Sequence, residues 1–168
     1  VVIGHEMTHG FDDQGRLFDK DGNMNNWWAP EDEAAFKAKT AVLEKQYSDV
    51  EILPGIHANG ALSLGENIAD QGGLSVAWTA YRNSLNGTEP APIDGLTAAQ
   101  RFFIGYAHLW AQNATDEEKA RLNKLDVHSL AENRVNVAVR NFPQFFEAFG
   151  ISEGDPMFRP EAERVMIW

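Results

Sequence analysis

The chain opens with the stretch Val1-Val2-Ile3-Gly4-His5-Glu6-Met7-Thr8-His9, which contains an HExxH pattern. Residues four apart in a helix lie on one face about one turn apart, so the imidazoles of His5 and His9 can bind the same tetrahedral zinc ion. Glu6 lies beside them, in a position to act on a water molecule at the metal. The pattern therefore predicts a zinc site. The alternative is an ordinary helix whose two histidines bind no metal.

A catalytic zinc ion needs a third protein ligand and keeps a fourth position for water. The best candidate is Glu66, in the segment Gly65-Glu66-Asn67-Ile68-Ala69-Asp70, early in a predicted helix of its own. Asp70 lies one turn further on the same face, which suits a carboxylate that holds a ligand imidazole from behind. The alternative for Glu66 is a helix cap, because Ser63-x-x-Glu66 is also a capping-box pattern.

The composition is that of a globular protein with one core. The 168 residues are 43% hydrophobic and 23% charged, which argues against a disordered chain and predicts a single domain, residues 1–168. The net charge of −11 repels phosphate and anionic lipid, so nucleic acid and membrane surfaces are not expected partners. No apolar run approaches the roughly 18 residues of a membrane span. Because cysteine is absent, neither a disulfide nor a thiolate metal ligand is possible.

Helical signals run along most of the chain, whereas strand signals are weak throughout. Pro30 can form the first turn of a helix, and Thr97 with Gln100 is a capping box. Thr115 with Glu118 repeats that pattern. Helices are predicted over residues 1–11, 30–49, 64–85, 130–141 and 143–149, with two more beginning after Thr97 and Thr115, and with Gly150 stopping the last. The fold class is therefore mainly α, with few or no strands.

Four parts of the chain form a combination that matches one family. They are Val2-Ile3-Gly4-His5-Glu6-Met7-Thr8-His9-Gly10-Phe11-Asp12-Asp13, Asn59-Gly60 with Gly65-Glu66-Asn67-Ile68-Ala69-Asp70-Gln71-Gly72-Gly73, Asp126-Val127-His128-Ser129, and the terminal Trp168. Together they resemble the neprilysin family, which includes the endothelin-converting enzymes and the bacterial PepO-type endopeptidases. The resemblance implies a zinc endopeptidase of the gluzincin type, whose catalytic subdomain is mainly helical and similar to that of thermolysin.

The resemblance also implies roles at the metal. The positions that match the family's ligands for one zinc ion are His5, His9 and Glu66. Glu6 matches the catalytic base, and Asp70 matches the catalytic-site carboxylate that supports the first ligand imidazole. Either Asp12 or Asp13 orients His9, and the expectation favours Asp13.

Further matches concern the substrate. His128 matches the residue that stabilises the tetrahedral intermediate, and Arg134 the residue that holds a backbone carbonyl of the substrate. In the family, an apolar pocket receives the residue after the scissile bond. The positions of its wall match Val2, Leu109 and Trp110. The resemblance therefore implies a metalloendopeptidase that cuts oligopeptides on the amino side of hydrophobic residues.

Two parts of the family pattern have no counterpart in these residues. One is the Asn-Ala-Tyr/Phe strand that pairs with the substrate, and the other is the helical lobe that closes over the cleft. We therefore expect the chain to be the C-terminal part of a larger peptidase, with peptide substrates and the missing N-terminal portion as its partners. The alternative is a non-catalytic helical fragment that binds zinc or peptide. The absent cysteines fit a bacterial relative, and an exported setting, periplasmic or extracellular, is favoured over the cytoplasm.

Overall fold

The computed structural model describes all residues, 1–168, and is mainly helical. The seven α-helices are α1 (Val2–Thr8), α2 (Pro30–Ser48), α3 (Leu64–Ser84), α4 (Ala98–Leu109), α5 (Asp116–Leu125), α6 (Ala131–Val139) and α7 (Pro143–Phe149). Strands β1 (Glu51–Leu53) and β2 (Ile56–His57) form a short antiparallel hairpin. None of the helices combines the length and the apolar character that crossing a membrane requires. The prediction of a mainly α fold with few strands is confirmed.

Local signals set the helix ends close to where the sequence predicts them. Thr97 Oγ1 accepts a hydrogen bond from the N–H of Gln100, and Gln100 Oε1 accepts one from the N–H of Thr97. Thr115 Oγ1 likewise accepts from the N–H of Glu118, but the reciprocal bond from the Glu118 side chain does not form. Helix α7 ends at Gly150, whose φ of 66° is the left-handed conformation that favours glycine.

Glycines allow α1 and α3 to approach each other closely. A Cβ atom on Gly73 would lie 2.6 Å from the backbone nitrogen of His5 and 2.8 Å from the carbonyl oxygen of Val1. A Cβ atom on Gly4, which faces it from α1, would lie 3.0 Å from the Cα of Gly73. A side chain at residue 73 would therefore force the two helices apart. Their close contact brings His5 of α1, and His9 directly after it, next to the first turns of α3.

Two apolar clusters pack the other helices around α3. The first lies among α2, α3, α6 and the C-terminal segment, and the second lies among α3, α4, α6 and α7. Their buried members are Phe36, Leu43, Tyr47, Ile68, Val137, Val165 and Ile167 in the first, and Leu74, Phe103, Tyr106, Val139 and Phe142 in the second. Helix α3 contributes a fully buried residue to each cluster, Ile68 and Leu74, and is the central element of the fold.

The C-terminal segment is fixed to α3 by one buried side chain. Gln71 Nε2 donates to the carbonyl oxygen of Val165 over 2.7 Å, and its Oε1 accepts from the N–H of Ile167 over 2.8 Å. Because Gln71 directly follows Asp70, the end of the chain braces α3 at the residue next to the predicted site.

Candidate metal centre and active site

Three predicted ligand atoms converge where α1 meets the start of α3. Nε2 of His5 lies 3.1 Å from Nε2 of His9 and 3.1 Å from Oε2 of Glu66. Nε2 of His9 lies 3.5 Å from Oε1 of Glu66. Among the His, Asp and Glu residues of the chain, these three form the one group whose ligand atoms all lie close enough together to hold a metal ion.

The donor set fits zinc. Imidazole nitrogens and a carboxylate oxygen bind zinc at about 2.0–2.1 Å, which places tetrahedral ligand atoms roughly 3.3 Å apart. The two imidazole nitrogens lie 3.1 Å apart, and each has one oxygen of the Glu66 carboxylate at 3.1 or 3.5 Å. Glu66 Oε2 is buried and makes no hydrogen bond of acceptable geometry. A buried carboxylate oxygen without a partner is costly unless a cation faces it. A metal ion held by His5, His9 and Glu66 would satisfy that oxygen.

The capping alternative for Glu66 is not realised. Ser63 Oγ accepts no bond from a backbone N–H in the first turn of α3. The backbone N–H of Ser63, which a capping glutamate would accept, donates to the carbonyl oxygen of Asn59 over 3.2 Å. The Glu66 carboxylate is therefore available as a ligand. Burial raises the pKa of this carboxyl, but His5, His128 and His9 around it outweigh that effect and hold the pKa below its ordinary value.

Asp70 holds the first ligand imidazole in place. Its Oδ1 lies 2.9 Å from Nδ1 of His5, so the Nδ1–H of the neutral ring points at the carboxylate and Nε2 keeps its lone pair towards the metal position. Burial lowers the pKa of His5, but the hydrogen bonds and charges of Asp70 and Glu66 together raise it to about 9. The same pair of carboxylates that attracts a proton to this ring also attracts a metal cation.

Asp12, and not Asp13, holds the second ligand imidazole. Asp12 Oδ2 lies 2.8 Å from Nδ1 of His9, and its Oδ1 accepts from the N–H groups of Gln14 and Gly15. The expectation that favoured Asp13 is wrong. After α1 the chain continues as a 3₁₀ turn that places Asp12 over the ring, and the extended backbone of Asp12, with ψ of −173°, directs the next residue away. Oδ1 of Asp13 is buried without a partner.

Glu6 is exposed on the opening of a small cavity beside the metal ligands. The cavity has a volume of about 130 Å³ and is lined by Val1, Val2, His5, Glu6, Asp70, Trp110, His128 and Arg134. The Glu6 carboxylate forms no ion pair or hydrogen bond within the chain, so its oxygens are available to accept a proton. Its place next to His5 suits the catalytic base expected from the sequence.

His128 faces the metal ligands from the loop between α5 and α6. Its Nε2 lies 3.2 Å from Oε2 of Glu66. On the other side of the ring, Asp126 Oδ1 lies 2.8 Å from Nδ1 and accepts the backbone N–H of His128 over 3.0 Å. That N–H bond is the main reason why the pKa of Asp126 is lowered. Because Asp126 holds the Nδ1–H of the neutral imidazole, Nε2 directs its lone pair into the cleft, and the protonated ring can donate there.

Arg134 is a buried cation held by the same carboxylate that orients His5. Its Nε and Nη2 donate to Oδ2 and Oδ1 of Asp70, each over 2.7 Å. The ring of Trp110 covers the guanidinium, with its centroid 3.7 Å from Cζ. Burial lowers the pKa of Arg134, but Asp70 outweighs burial and raises it. The remaining N–H groups of this fixed cation can bind a carbonyl oxygen of a ligand in the cleft.

Comparison with known proteins agrees with this arrangement. The family model for peptidase family M13 matches residues 1–165. The chain belongs to peptidase family M13. It is 44% identical to human endothelin-converting enzyme 1 in an alignment of 171 positions that covers 100% of this chain and 22% of that protein. It is 42% identical to neprilysin-1 of Caenorhabditis elegans in an alignment of 174 positions that covers 100% of this chain and 23% of that protein.

Solved structures of M13 peptidases share the fold. The Mycobacterium tuberculosis zinc metalloprotease Zmp1, in complex with an inhibitor, matches with a TM-score of 0.94 and 45% identity, over 98% of this chain and 26% of that chain. PepO from Lactobacillus rhamnosis HN001 matches with a TM-score of 0.85 and 38% identity, over 99% of this chain and 25% of that chain. This M13 chain therefore spans about a quarter of the length of the relatives that it matches.

The predicted apolar wall of this M13 chain is formed in part. Val2 and Trp110 line the cavity beside the metal ligands. Leu109 does not line it, and its side chain, 54% exposed, lies on the surface at the end of α4. Trp110 comes directly after the last residue of α4 and reaches the cavity from that position. The expectation for Leu109 is wrong, and Val1 lines the cavity in addition.

One functional residue of the M13 chain received no role from the sequence. Asp126 determines which nitrogen of His128 points into the cleft, through the two contacts described above. The signal that could have identified it is its spacing, because an aspartate two residues before another residue commonly accepts that residue's N–H. The same geometry brings its oxygen to the ring.

Proposed function

We propose that this chain carries the zinc site and the transition-state donor of a zinc-dependent metalloendopeptidase that hydrolyses oligopeptides. The observation that carries the proposal is the convergence of His5, His9 and Glu66, with Glu6 beside them and His128 facing them. Family membership supports the same reaction, since the relatives include endothelin-converting enzyme 1 and a zinc metalloprotease. We further propose that the site holds one zinc ion, because the three ligands leave room for a single tetrahedral position.

Glu6 and His128 have different roles in peptide-bond hydrolysis. When bound, zinc supplies a Lewis acid that brings the pKa of water towards ~7 and polarises the scissile carbonyl. The carboxylate of Glu6 accepts the proton of the attacking water and then passes it to the leaving amine. The protonated ring of His128 donates to the oxygen of the former carbonyl as negative charge develops there, and such a donor contributes roughly 2.7–4 kcal/mol to lowering the barrier.

Arg134 and the cavity beside it position the substrate. The guanidinium is fixed by Asp70 and covered by Trp110, so it can bind a backbone carbonyl with little loss of side-chain entropy. The cavity wall that Val2 and Trp110 form is apolar, which supports a hydrophobic residue directly after the scissile bond. We therefore propose that the peptidase cuts on the amino side of hydrophobic residues.

The remainder of a longer parent protein is a proposed partner. Because the chain spans about a quarter of its relatives' length, the opposite side of the cleft would come from residues outside this sequence. We propose that residues 1–168 form a single domain, the C-terminal part of the catalytic domain of that protein. An exported setting, periplasmic or extracellular, remains our prediction for it.

The variant Glu6→Gln tests this function. We expect it to bind zinc as the wild type does, by elemental analysis, and to cleave a fluorogenic oligopeptide with a hydrophobic residue after the scissile bond about 10²–10⁴-fold more slowly. Glu66→Ala is expected to lose zinc and turnover together, whereas Glu147→Gln, exposed on α7, should change neither. Undiminished cleavage by Glu6→Gln would exclude Glu6 as the base. Zinc binding without cleavage by the wild type would favour the non-catalytic alternative.

A further inference from the structure

A closed set of hydrogen bonds joins the start of α3 to the loop before α6. Ser129 Oγ lies 2.8 Å from Oδ1 of Asn67 and 3.0 Å from Oγ of Ser63. Asn67 Nδ2 donates to Ser63 Oγ over 3.0 Å, and Ser63 Oγ donates to the carbonyl oxygen of Asn59 over 3.0 Å. A hydroxyl has one proton to donate. An amide oxygen can only accept, so in the shorter contact, 2.8 Å, the hydroxyl of Ser129 donates to Oδ1 of Asn67.

The part of the network on α3 is buried and Ser129 is half-buried, so the bond between Ser129 and Asn67 is not exchanged readily for bonds to water. Asn67 is 0% exposed and Ser63 is 4% exposed. Both polar ends of the Asn67 side chain have partners, one in Ser63 and one in Ser129. Removing the hydroxyl of Ser129 would leave Oδ1 of Asn67 without its partner in the interior, which is unfavourable. The loop is therefore held to α3 by a directional contact.

The two bonded residues are each adjacent to a functional residue. Asn67 directly follows Glu66, and Ser129 directly follows His128. Across the cleft, Nε2 of His128 lies 3.2 Å from Oε2 of Glu66. Asp126 determines the orientation of the His128 ring, but Asp126 belongs to the same loop and cannot set the distance between that loop and α3. The bond between Ser129 and Asn67 spans this gap.

We propose that Ser129, through its hydrogen bond to Asn67, is a positioning residue that sets the distance of His128 from the metal ligands on α3. The inference rests on the proposed function, in which His128 donates to the developing oxyanion. Such a donor must be aligned with the oxygen as it stands in the transition state. A shift of the loop therefore weakens transition-state binding more than substrate binding, and a displacement of about 1 Å can lower the rate on the order of 100-fold.

The variant Ser129→Ala tests the proposal with two readouts. In the zinc-loaded chain we expect the ¹H–¹⁵N signals of the His128 ring to shift and broaden, while those of His5 and His9 and the zinc content stay as in the wild type. With a fluorogenic peptide we expect kcat to fall about 10- to 100-fold and KM to stay within about twofold, since the lost interaction forms in the transition state. Ser129→Thr, which keeps the hydroxyl, should restore both readouts.

Ser84→Ala is the matched control, because Ser84 is an exposed serine at the far end of α3 whose hydroxyl donates to a carbonyl of its own turn. Should Ser129→Ala not fold, Ser129→Cys removes the strong donor with less change in volume. Unchanged His128 signals in a folded variant would overturn the proposal, and so would changed signals with an unchanged kcat. If the wild type cleaves no peptide, the proposed function fails, and the His128 signals alone decide whether Ser129 positions the ring.

Discussion

Nδ1 of His5 lies 2.9 Å from Oδ1 of Asp70, a carboxylate 65 residues away in the chain and 1% exposed. The same carboxylate binds the guanidinium of Arg134 through both of its oxygens. One buried negative charge therefore orients a proposed metal ligand and anchors the cation that we propose binds the substrate. This arrangement couples the geometry of the metal centre to that of the binding cleft, because neither His5 nor Arg134 can move without disturbing the other.

We expect Asp70→Asn to weaken zinc binding by roughly 10–100-fold, the usual effect of removing a carboxylate that supports a ligand histidine. The amide carries no charge, and its NH₂ group would face the donors of Arg134. The measurement is a competition titration against a chromophoric chelator at neutral pH. Asp126→Asn is the control, since Asp126 contacts His128 and no metal ligand, and it should leave zinc affinity unchanged. Equal affinities for all three chains would remove Asp70 from this role.

Asp12→Asn and Asp13→Asn should separate the two adjacent carboxylates. The first loses the charge beside Nδ1 of His9, so we expect the same order of loss in zinc affinity, roughly 10–100-fold. The second neutralises a carboxylate that makes no hydrogen bond to His9, and we expect less than a twofold change. The same chelator competition measures both. A larger loss for Asp13→Asn than for Asp12→Asn would contradict the structure.

Asp13→Asn is also expected to stabilise the metal-free chain at neutral pH. Burial is the main reason why the pKa of Asp13 is raised above its ordinary value of 3.8, and the charge of Asp12 adds to it. A carboxyl whose pKa is higher in the folded state destabilises that state once it ionises. The cost is absent below the unfolded pKa and fully present above the folded one. The gain in unfolding temperature should therefore be seen at neutral pH and vanish below a pH of about 3.8, as thermal unfolding at both values would show.

Much of the fold could be predicted because its helices carry local signals. The capping residues Thr97 and Thr115 and the stop at Gly150 depend on neighbours a few positions away, and all three act where the sequence places them. The two short strands were harder to predict, because a hairpin of this length has no long alternating pattern. The close contact of α1 with α3 was not predicted, since the role of Gly73 depends on a helix more than sixty residues away.

The metal ligands could be predicted because HExxH places two of them by helical spacing alone. Three other assignments needed the tertiary structure. Ser63 and Glu66 fit a capping box in sequence, but in the structure the backbone N–H of Ser63 donates to Asn59, which leaves the Glu66 carboxylate free. A 3₁₀ turn and the extended backbone of Asp12 place Asp12, and not Asp13, at the ring of His9. No rule of sequence spacing reveals this. Leu109 shares its sequence context with Trp110, but only Trp110, after the end of α4, lines the cavity.

The contact between α1 and α3 gives a prediction that joins stability to metal binding. Gly73→Ala places a Cβ atom against backbone atoms of His5 and Val1, which cannot rotate away as a side chain can. We expect this variant to lower the free energy of unfolding by about 1–3 kcal/mol, the usual cost of overpacking. Because α1 must move away from α3, zinc affinity should fall as well.

Gly105→Ala is the matched variant for this test. Gly105 lies in the interior of α4, and a Cβ atom there would meet no other atom within 4 Å. In an exposed helix the exchange of glycine for alanine stabilises by roughly 0.8–1 kcal/mol, so Gly105→Ala should raise the free energy of unfolding and leave zinc affinity as it is. Urea unfolding of the metal-free chains and chelator competition measure the two quantities. If Gly73→Ala were as stable as Gly105→Ala and bound zinc equally well, the close approach of α1 to α3 could not be what assembles the ligands.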